Sequence, residues 1–309
     1  MEHYSTIPNI TSRFADPRVD FAFKRAFGTE RYKDATINLL NSIIPDHDIK
    51  DVTFLNTEII GDTSDSRKSY IDVLCEDNDG TKFIVEMQKA KQSNFRQRAV
   101  FYASKVISML PPQGNSWDYG MPPSYVIAFL DFPMAEMLNK SERQDLGKDD
   151  YILHYVCRET ESGGKMPGST EYIFLGLQDF NKKEEDLTTY PEKWLYLLKH
   201  TTLLDSIPDG YQSDRTFTTY FEACERAGYS KEEEQRYITD MMNDWDIANA
   251  KREACEEARA EGRAKGLAEG EAKSQREIAK KMLSDGMGID VISKYTSLSE
   301  EEIKSLQSE

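Results

Sequence analysis

The sequence predicts an α/β fold with a mixed central sheet flanked by helices, followed by a helical C-terminal region. Apolar residues recur at helical spacing over Val19–Ile44 and again over Ser93–Leu110, where Pro111-Pro112 ends the pattern. Four runs rich in β-branched or alternating apolar residues are typical of strands. They are Asp51–Ile60, Ser69–Cys75, Thr81–Gln88 and Ser124–Leu130.

The remaining elements become mostly helical toward the C-terminus. Two more strands are predicted among polar loop segments at 134–150 and 158–170, namely Tyr151–Cys157 and Glu171–Leu177. Helices are then predicted at Trp194–Leu204, Arg215–Ala227, Lys231–Lys273, Ile278–Leu283, Val291–Tyr295 and Glu301–Leu306. We therefore expect an α/β domain at residues 13–180 and a helical extension at 181–230. Residues 231–309 would form a long charged helix with a small terminal helical unit.

The long charged helix has a small residue at every fourth position, from Ala250 to Gly270. Each of its three glycines costs about 1 kcal/mol relative to alanine in a helix interior. Either a partner packs closely on this stripe, which would make it a dimer seam, or the segment is a flexible arm. The sequence leaves both interpretations open.

Acidic residues are concentrated outside the first third of this chain of net charge −16. Residues 1–110 contain 15 basic and 16 acidic side chains, whereas the rest contains 24 and 39. The segment from Lys89 to Lys105 contains five basic side chains and no acidic one. We therefore expect this segment to form a local positive surface. Such a surface is suited to phosphate, because phosphate binding draws on Lys and Arg.

The sequence has the features of a cytoplasmic protein without a membrane span. No apolar run approaches the length of about 18 residues that a transmembrane helix needs, and the N-terminus lacks the layout of a signal peptide. Its four cysteines are widely scattered, with no zinc-binding spacing.

A predicted hairpin brings two carboxylates together. If Asn78-Asp79-Gly80 is a three-residue loop with Gly80 in the left-handed conformation, Asp72 lies opposite Glu86. Facing side chains on antiparallel strands are about 5 Å apart, so two like charges there need a neutralising partner. Gln88 falls on the same face as Glu86 because strand side chains alternate.

This arrangement predicts metal-assisted chemistry on phosphate. Asp72 and Glu86 would bind Mg²⁺, with Mn²⁺ as a substitute, since such ions prefer oxygen ligands. Gln88 would orient water. The basic segment would hold a phosphate backbone through Lys89, Arg96, Arg98 and Tyr102.

The order of these pieces resembles a known fold and family. Asp72, a hairpin and Glu86-Met87-Gln88 resemble the PD-(D/E)XK restriction-endonuclease-like core, with Gln88 where many members have lysine. The wider sequence resembles the Rpn recombination-promoting nucleases, also described as transposases. The matching segments are Asp20–Gly28, Lys68–Val73, Phe83–Gln88, Arg98–Ser104, Trp117–Phe132 and the repeat Glu261–Gly270.

The resemblance implies magnesium-dependent endonucleolytic cleavage of DNA linked to recombination or mobile elements. It also implies that Asp20 is a supporting acidic residue of the catalytic site, although Asp20 alternatively suits the N-cap of the first helix. We expect a homodimer, because cutting both strands usually requires two single-site copies. Two alternatives are a catalytically inactive DNA-binding or assembly factor with this fold and a protein-interaction scaffold built on the acidic C-terminal half.

Overall fold

A six-stranded mixed sheet forms the centre of the protein in a computed structural model that describes residues 10–44, 47–59, 69–91, 94–108, 120–147 and 150–307. The described strands are β1 Thr53–Phe54, β2 Glu58–Ile59, β3 Ser69–Tyr70, β4 Val73–Glu76, β5 Lys82–Gln88, β6 Ser124–Leu130, β7 Ile152–Tyr155 and β8 Thr170–Gly176. The sheet order is β1-β4-β5-β6-β8-β7, while β2 and β3 form a separate pair. Strands β5, β6 and β8 run parallel, and the other neighbours are antiparallel. The predicted mixed sheet is confirmed.

The two central strands, β5 and β6, are the most completely buried. Every residue of β6 is buried, as is every residue of β5 after Lys82. The continuous apolar run of β6 is typical of a strand covered on both faces.

Helices cover both faces of the sheet. Their bounds are α1 Asp20–Phe27, α2 Lys33–Ile43, α3 Phe95–Ser108, α4 Lys140–Asp145, α5 Tyr190–His200, α6 Asp209–Gln212 and α7 Arg215–Cys224. On one face, Val85 shares a core with Phe27 of α1 and Trp194 of α5. On the other face, Ile84 shares a core with Ala99 of α3. Alternate residues of β5 therefore point to different helices, as the strand period requires.

Several predicted elements differ from the observed ones. The described part of the predicted strand Asp51–Ile60, residues 51–59, forms two short strands rather than one. Helix α4 lies in the segment predicted as a loop at 134–150. Helices α5 and α7, assigned to a separate extension at 181–230, share the core of the sheet. The stop at Pro111-Pro112 lies outside the described residues.

The long helix α8 spans Lys231–Ser284 and is longer than predicted. The described residues divide into two compact units, the first ending at Asp244 and the second beginning at Trp245. In the first unit, Tyr237 and Met241 of α8 pack against Val19 and Ala22.

The second unit contains α9 Ile289–Thr296 and α10 Glu300–Gln307. Ala279 at the end of α8 packs with Ile292 and Ile303 of these helices. The predicted capping box is present, since Glu302 N–H donates to Ser299 Oγ at 3.3 Å and Ser299 N–H donates to Glu302 Oε2 at 2.8 Å. In the described ranges, no helix combines the length and apolar character needed to cross a membrane.

Candidate active site

The turn between β4 and β5 has the conformation that the sequence predicts. Gly80 has a φ of +82°, which strongly favours glycine. Its N–H donates to the Asp77 carbonyl at 3.1 Å, and Asp77 N–H donates to the Thr81 carbonyl at 3.1 Å. The Asp77 carboxylate also accepts from Thr81 N–H at 2.9 Å. The loop is therefore closed by backbone and side-chain bonds.

This turn sets the register that brings the candidate residues together. Val73 lies opposite Val85, as the predicted pairing requires, so Asp72 comes next to Glu86 at the end of the ladder. Glu86 and Gln88 both lie on the face that α3 covers, because they alternate with the residues that pack toward α1. The predicted register is confirmed, with Asp72 placed one residue before β4 begins.

Side chains replace backbone partners where the ladder ends. Met87 N–H donates to Asp72 Oδ2 at 2.8 Å, and Asp72 N–H donates to Glu86 Oε1 at 3.3 Å. Gln88 Nε2 donates to Glu86 Oε2 at 2.9 Å. Asp72, Glu86 and Gln88 are thus joined in one hydrogen-bonded group, which orders both carboxylates.

Burial makes this carboxylate pair electrostatically unfavourable. The side chain of Asp72 is 18% exposed and Glu86 is 3% exposed. Burial raises the pKa of Asp72 to about 6, and the nearby charge of Asp20 adds to the rise. Burial raises the pKa of Glu86 well above its usual range, and the charge of Asp72 contributes next. The pair therefore needs a cation to be fully ionised.

Helix α1 supplies one of the cations beside the pair. Lys24 Nζ lies 2.6 Å from Asp20 Oδ1, four residues earlier, and 3.9 Å from Asp72 Oδ1. Asp20 is the first residue of α1, while Val19 occupies the N-cap position and makes no side-chain cap bond. The alternative role of Asp20 as an N-cap is therefore wrong. Through Lys24, Asp20 is linked to Asp72.

Helix α3 supplies the second cation. Arg98 donates a hydrogen bond to Gln88 Oε1, and its charge lowers the pKa of both Asp72 and Glu86. The guanidinium carbon lies 5.6 Å from the ring centroid of Tyr102, which is 6% exposed. Arg98 and Tyr102 thus lie together on the side of α3 that faces the carboxylates.

The other two basic residues predicted to contact DNA, Lys89 and Arg96, pair with acidic side chains outside the Asp72–Glu86 pair. Lys89 Nζ is 2.9 Å from Asp244 Oδ2 of α8. Arg96 donates two hydrogen bonds to Glu142, at 2.6 and 3.2 Å. Arg96 and Arg98 point to different sides of α3, because residues two apart on a helix do not share a face. The acidic partners come from distant parts of the chain, so the local composition contained no sign of them.

A polar network beside the site was missed by the sequence analysis. Asp131 follows β6 directly, and its N–H donates to the Gln88 carbonyl at 2.8 Å. The Asp131 carboxylate lies 3.3 Å from Arg18 Nη1 and accepts a bond from Gln178 at 2.6 Å. Arg18 also pairs with Asp16 at 2.9 Å. The sequence does contain a signal for Asp131, which directly follows the apolar strand β6. Polar residues at the carboxyl end of parallel strands commonly line sites in α/β sheets.

The donor atoms of the carboxylate pair fit a divalent, oxygen-preferring cation. Magnesium is typically bound by one or two carboxylates and keeps several waters. Asp72, which is partly exposed, and Glu86, which is buried, provide two carboxylates with raised pKa values. Among the residues that the structure describes, no group of three or more His, Cys, Asp or Glu side chains could hold a metal ion by itself. Any ion here would complete its coordination with water or substrate oxygens.

The mixed sheet, with helices on both faces and a carboxylate pair where the β4–β5 ladder ends, defines a PD-(D/E)XK nuclease-like protein. Residues 17–254 match the model of the PD-(D/E)XK nuclease family transposases, and the chain belongs to that family. Residues 272–308 match the C-terminal HTH domain of the Rpn/YhgA-like nuclease family, which confirms the Rpn resemblance. No curated protein and no solved structure matches the chain significantly. Family membership supports a nuclease role, and the HTH domain suggests DNA binding.

Proposed function

We propose that the protein is a magnesium-dependent DNA endonuclease that hydrolyses phosphodiester bonds during recombination or the movement of mobile elements. The observation that carries this proposal is the placement of Asp72 and Glu86. The hairpin register brings the buried Glu86 carboxylate next to the largely buried Asp72 carboxylate, and the pKa values of both are raised. Such a destabilising arrangement is typical of functional sites.

Asp72 and Glu86 would hold the ion, and Mn²⁺ would substitute for Mg²⁺. When bound, such an ion polarises a phosphoryl oxygen and lowers the pKa of a bound water. The carboxylates are already positioned by their bonds to Met87 N–H and Gln88 Nε2. Little rearrangement of the chain is therefore needed on binding.

Gln88 would orient water or substrate rather than accept a proton. Its Nε2 donates to Glu86 and its Oε1 accepts from Arg98, so both ends of the amide are held. An amide has no basic atom at neutral pH. Arg98 is a planar donor suited to phosphate, and we assign it with Tyr102 to the DNA phosphate beside the pair.

Lys89 and Arg96 would contact the DNA backbone farther from the reacting phosphate. Both side chains now pair with carboxylates, Lys89 with Asp244 and Arg96 with Glu142. DNA phosphates would have to replace these carboxylates. Because each phosphate that is neutralised releases counterions, DNA binding should weaken strongly as the salt concentration rises.

We further propose that the protein acts as a cytoplasmic homodimer and that its HTH domain contributes to DNA binding. A single carboxylate site cuts one strand at a time, so a dimer would provide the second cut. Sedimentation of the full-length chain with and without duplex DNA measures the assembly directly, and a monomer in both conditions would contradict the dimer.

The decisive experiment is cleavage of supercoiled plasmid by wild type and by Asp72→Asn, with Mg²⁺, Mn²⁺, Ca²⁺ or a chelator. Asp79→Asn is the matched control, since it removes a carboxylate from the exposed turn of the same hairpin. We expect wild type and the control to nick DNA with Mg²⁺ or Mn²⁺, and Asp72→Asn to be inactive. Equal cleavage by Asp72→Asn would refute the site. DNA binding without nicking by any variant would favour the inactive DNA-binding factor, and absence of both would favour the scaffold.

A further inference from the structure

The middle of helix α8 is an exposed shaft, which we define as residues 250–274. Every residue of the shaft is exposed. Apart from the neighbouring residues and backbone of the helix itself, no described atom lies within 4 Å of the position that a Cβ would take at Gly262, Gly266 or Gly270. At 1.5 Å per residue the shaft is roughly 37 Å long. It therefore presents a long surface to whatever binds it.

Basic side chains of the shaft share one side of the helix. Successive residues of an α-helix are rotated by about 100°, and on this spacing all six basic residues fall within an arc of about 160°. They are Lys251, Arg252, Arg259, Arg263, Lys265 and Lys273. The three arginines lie within about 40° of one another and form a straight row.

Acidic side chains lie on the opposite side. Five of the six glutamates of the shaft fall within a complementary arc of about 140°, namely Glu253, Glu256, Glu257, Glu261 and Glu271. The sixth, Glu269, lies on the basic side and approaches Lys265 at 4.0 Å. The shaft therefore has no net charge but has two faces of opposite sign.

An ordinary solvated helix accounts for the lysines better than for the arginines. Lys265 and Lys273 each follow a glutamate by four residues, the spacing and order that best stabilise an isolated helix. Arg252 and Arg259 share a single glutamate at helical spacing, Glu256, which lies beside the arginine row. Arg263 has no glutamate three or four residues away, and it lies four residues from Arg259, where two like charges destabilise an isolated helix. Helix stabilisation therefore explains the arginine row only in part, and it does not explain Arg263.

We propose that this arginine row binds the phosphate backbone of duplex DNA as a contact surface separate from the carboxylate site. Arginine matches phosphate geometry through two parallel N–H bonds, and the row concentrates positive charge on a chain of net charge −16. The choice of DNA rests on the proposed function. The competing occupant is the acidic face of a second copy of the chain, and the experiment below distinguishes the two.

The test compares full-length wild type with two triple variants in a chelator, so that binding is measured without cleavage. Arg252→Gln/Arg259→Gln/Arg263→Gln removes the row, and glutamine keeps a similar helix propensity. The matched control, Glu253→Gln/Glu257→Gln/Glu271→Gln, removes three charges from the opposite face. Neither set includes a residue of the carboxylate site or of the HTH match, which begins one residue after Glu271.

We expect the arginine variant to lower the slope of log affinity for a labelled duplex against log salt concentration by about 2 to 3, because each lost phosphate contact contributes about 0.9. The glutamate variant should keep the wild-type slope, and an Arg→Lys triple should largely restore it. Circular dichroism checks that the helix remains.

An unchanged slope in the arginine variant would overturn the proposal. If both the arginine and the glutamate variants lose self-association while the salt slope of DNA binding stays unchanged, the arginine row binds a second copy of the chain instead. The binding assay needs no catalysis, so its outcome is independent of the nuclease proposal. If the wild type does not nick plasmid but the arginine variant lowers the slope by the expected amount, the nuclease proposal fails and this proposal stands.

Discussion

Replacing Asp72 by asparagine should stabilise the metal-free protein at neutral pH while abolishing cleavage. Burial raises the pKa of Asp72 to about 6, whereas the usual value is 3.8. The folded state therefore binds this proton more tightly than the unfolded chain does. The contribution of the protonated Asp72 carboxyl group to the free energy of unfolding is most favourable below pH 4 and is lost as the pH rises through about 6.

The size of the effect follows from the pKa difference. A difference of about two units corresponds to at most about 3 kcal/mol at pH values above 6. Asparagine has nearly the same shape and can still accept the bond from Met87 N–H, so the substitution mainly removes charge. It also relieves Glu86, whose pKa is raised in part by the charge of Asp72, and this acts in the same direction. The midpoint of unfolding should rise by roughly 5–10 °C at neutral pH for a domain of this size.

The assay is thermal unfolding of the first compact unit within the full-length chain, followed in a chelator from about pH 4 to pH 8. Wild type, Asp72→Asn and the control Asp79→Asn are compared. The difference between wild type and Asp72→Asn should vanish at low pH and grow as the pH rises. A difference that does not vary with pH, or a less stable Asp72→Asn protein at neutral pH, would refute the electrostatic argument. Mg²⁺ should then stabilise wild type more than Asp72→Asn, because only the native pair binds it.

Three further substitutions test other parts of the structure. Asp244→Asn should release Lys89 and raise affinity for duplex DNA roughly two- to fivefold in fluorescence anisotropy, since a half-exposed pair contributes up to about 1 kcal/mol; unchanged affinity would remove Lys89 from the DNA surface. Gly80→Ala should cost about 1 kcal/mol in denaturant unfolding because the residue has a φ of +82°, and equal stability would contradict the strain. Arg98→Gln should lower the plasmid cleavage rate about 100-fold by removing a phosphate donor and the support of Gln88, with the circular dichroism spectrum as a folding control.

The sequence predicted those elements that depend only on neighbouring residues, such as the turn between β4 and β5 and the bounds of β6. The Asn78-Asp79-Gly80 turn determined the hairpin register, because only a few loop conformations connect two strands and glycine tolerates the left-handed one. Strand β6 has the predicted bounds, Ser124–Leu130, since its apolar run is bounded by turn residues. The placement of Asp72 beside Glu86 followed from that register alone.

The interruption of the ladder at Asp72 could not be predicted from strand patterns. Residues around Asp72 alternate as a strand should, yet β4 begins only at Val73. The reason is chemical. The Asp72 carboxylate accepts the Met87 N–H that a strand partner would otherwise accept, and Glu86 accepts the Asp72 N–H. Side-chain oxygens thus compete with backbone oxygens at the site, which pattern rules do not include.

Charge along the sequence and charge on the surface also differ for a physical reason. The segment Lys89–Lys105 is purely basic in sequence, but Lys89 and Arg96 find carboxylates more than 40 residues away, and this pairing reduces the local positive potential. The shaft of α8 shows the reverse, because its basic and acidic residues are interleaved in sequence and separate only when wound into a helix. Long-range ion pairs therefore neutralise part of the basic segment Lys89–Lys105. Helical geometry, in contrast, gathers the basic residues of the shaft on one side of α8. A protein of strongly negative net charge can therefore still offer DNA a basic face.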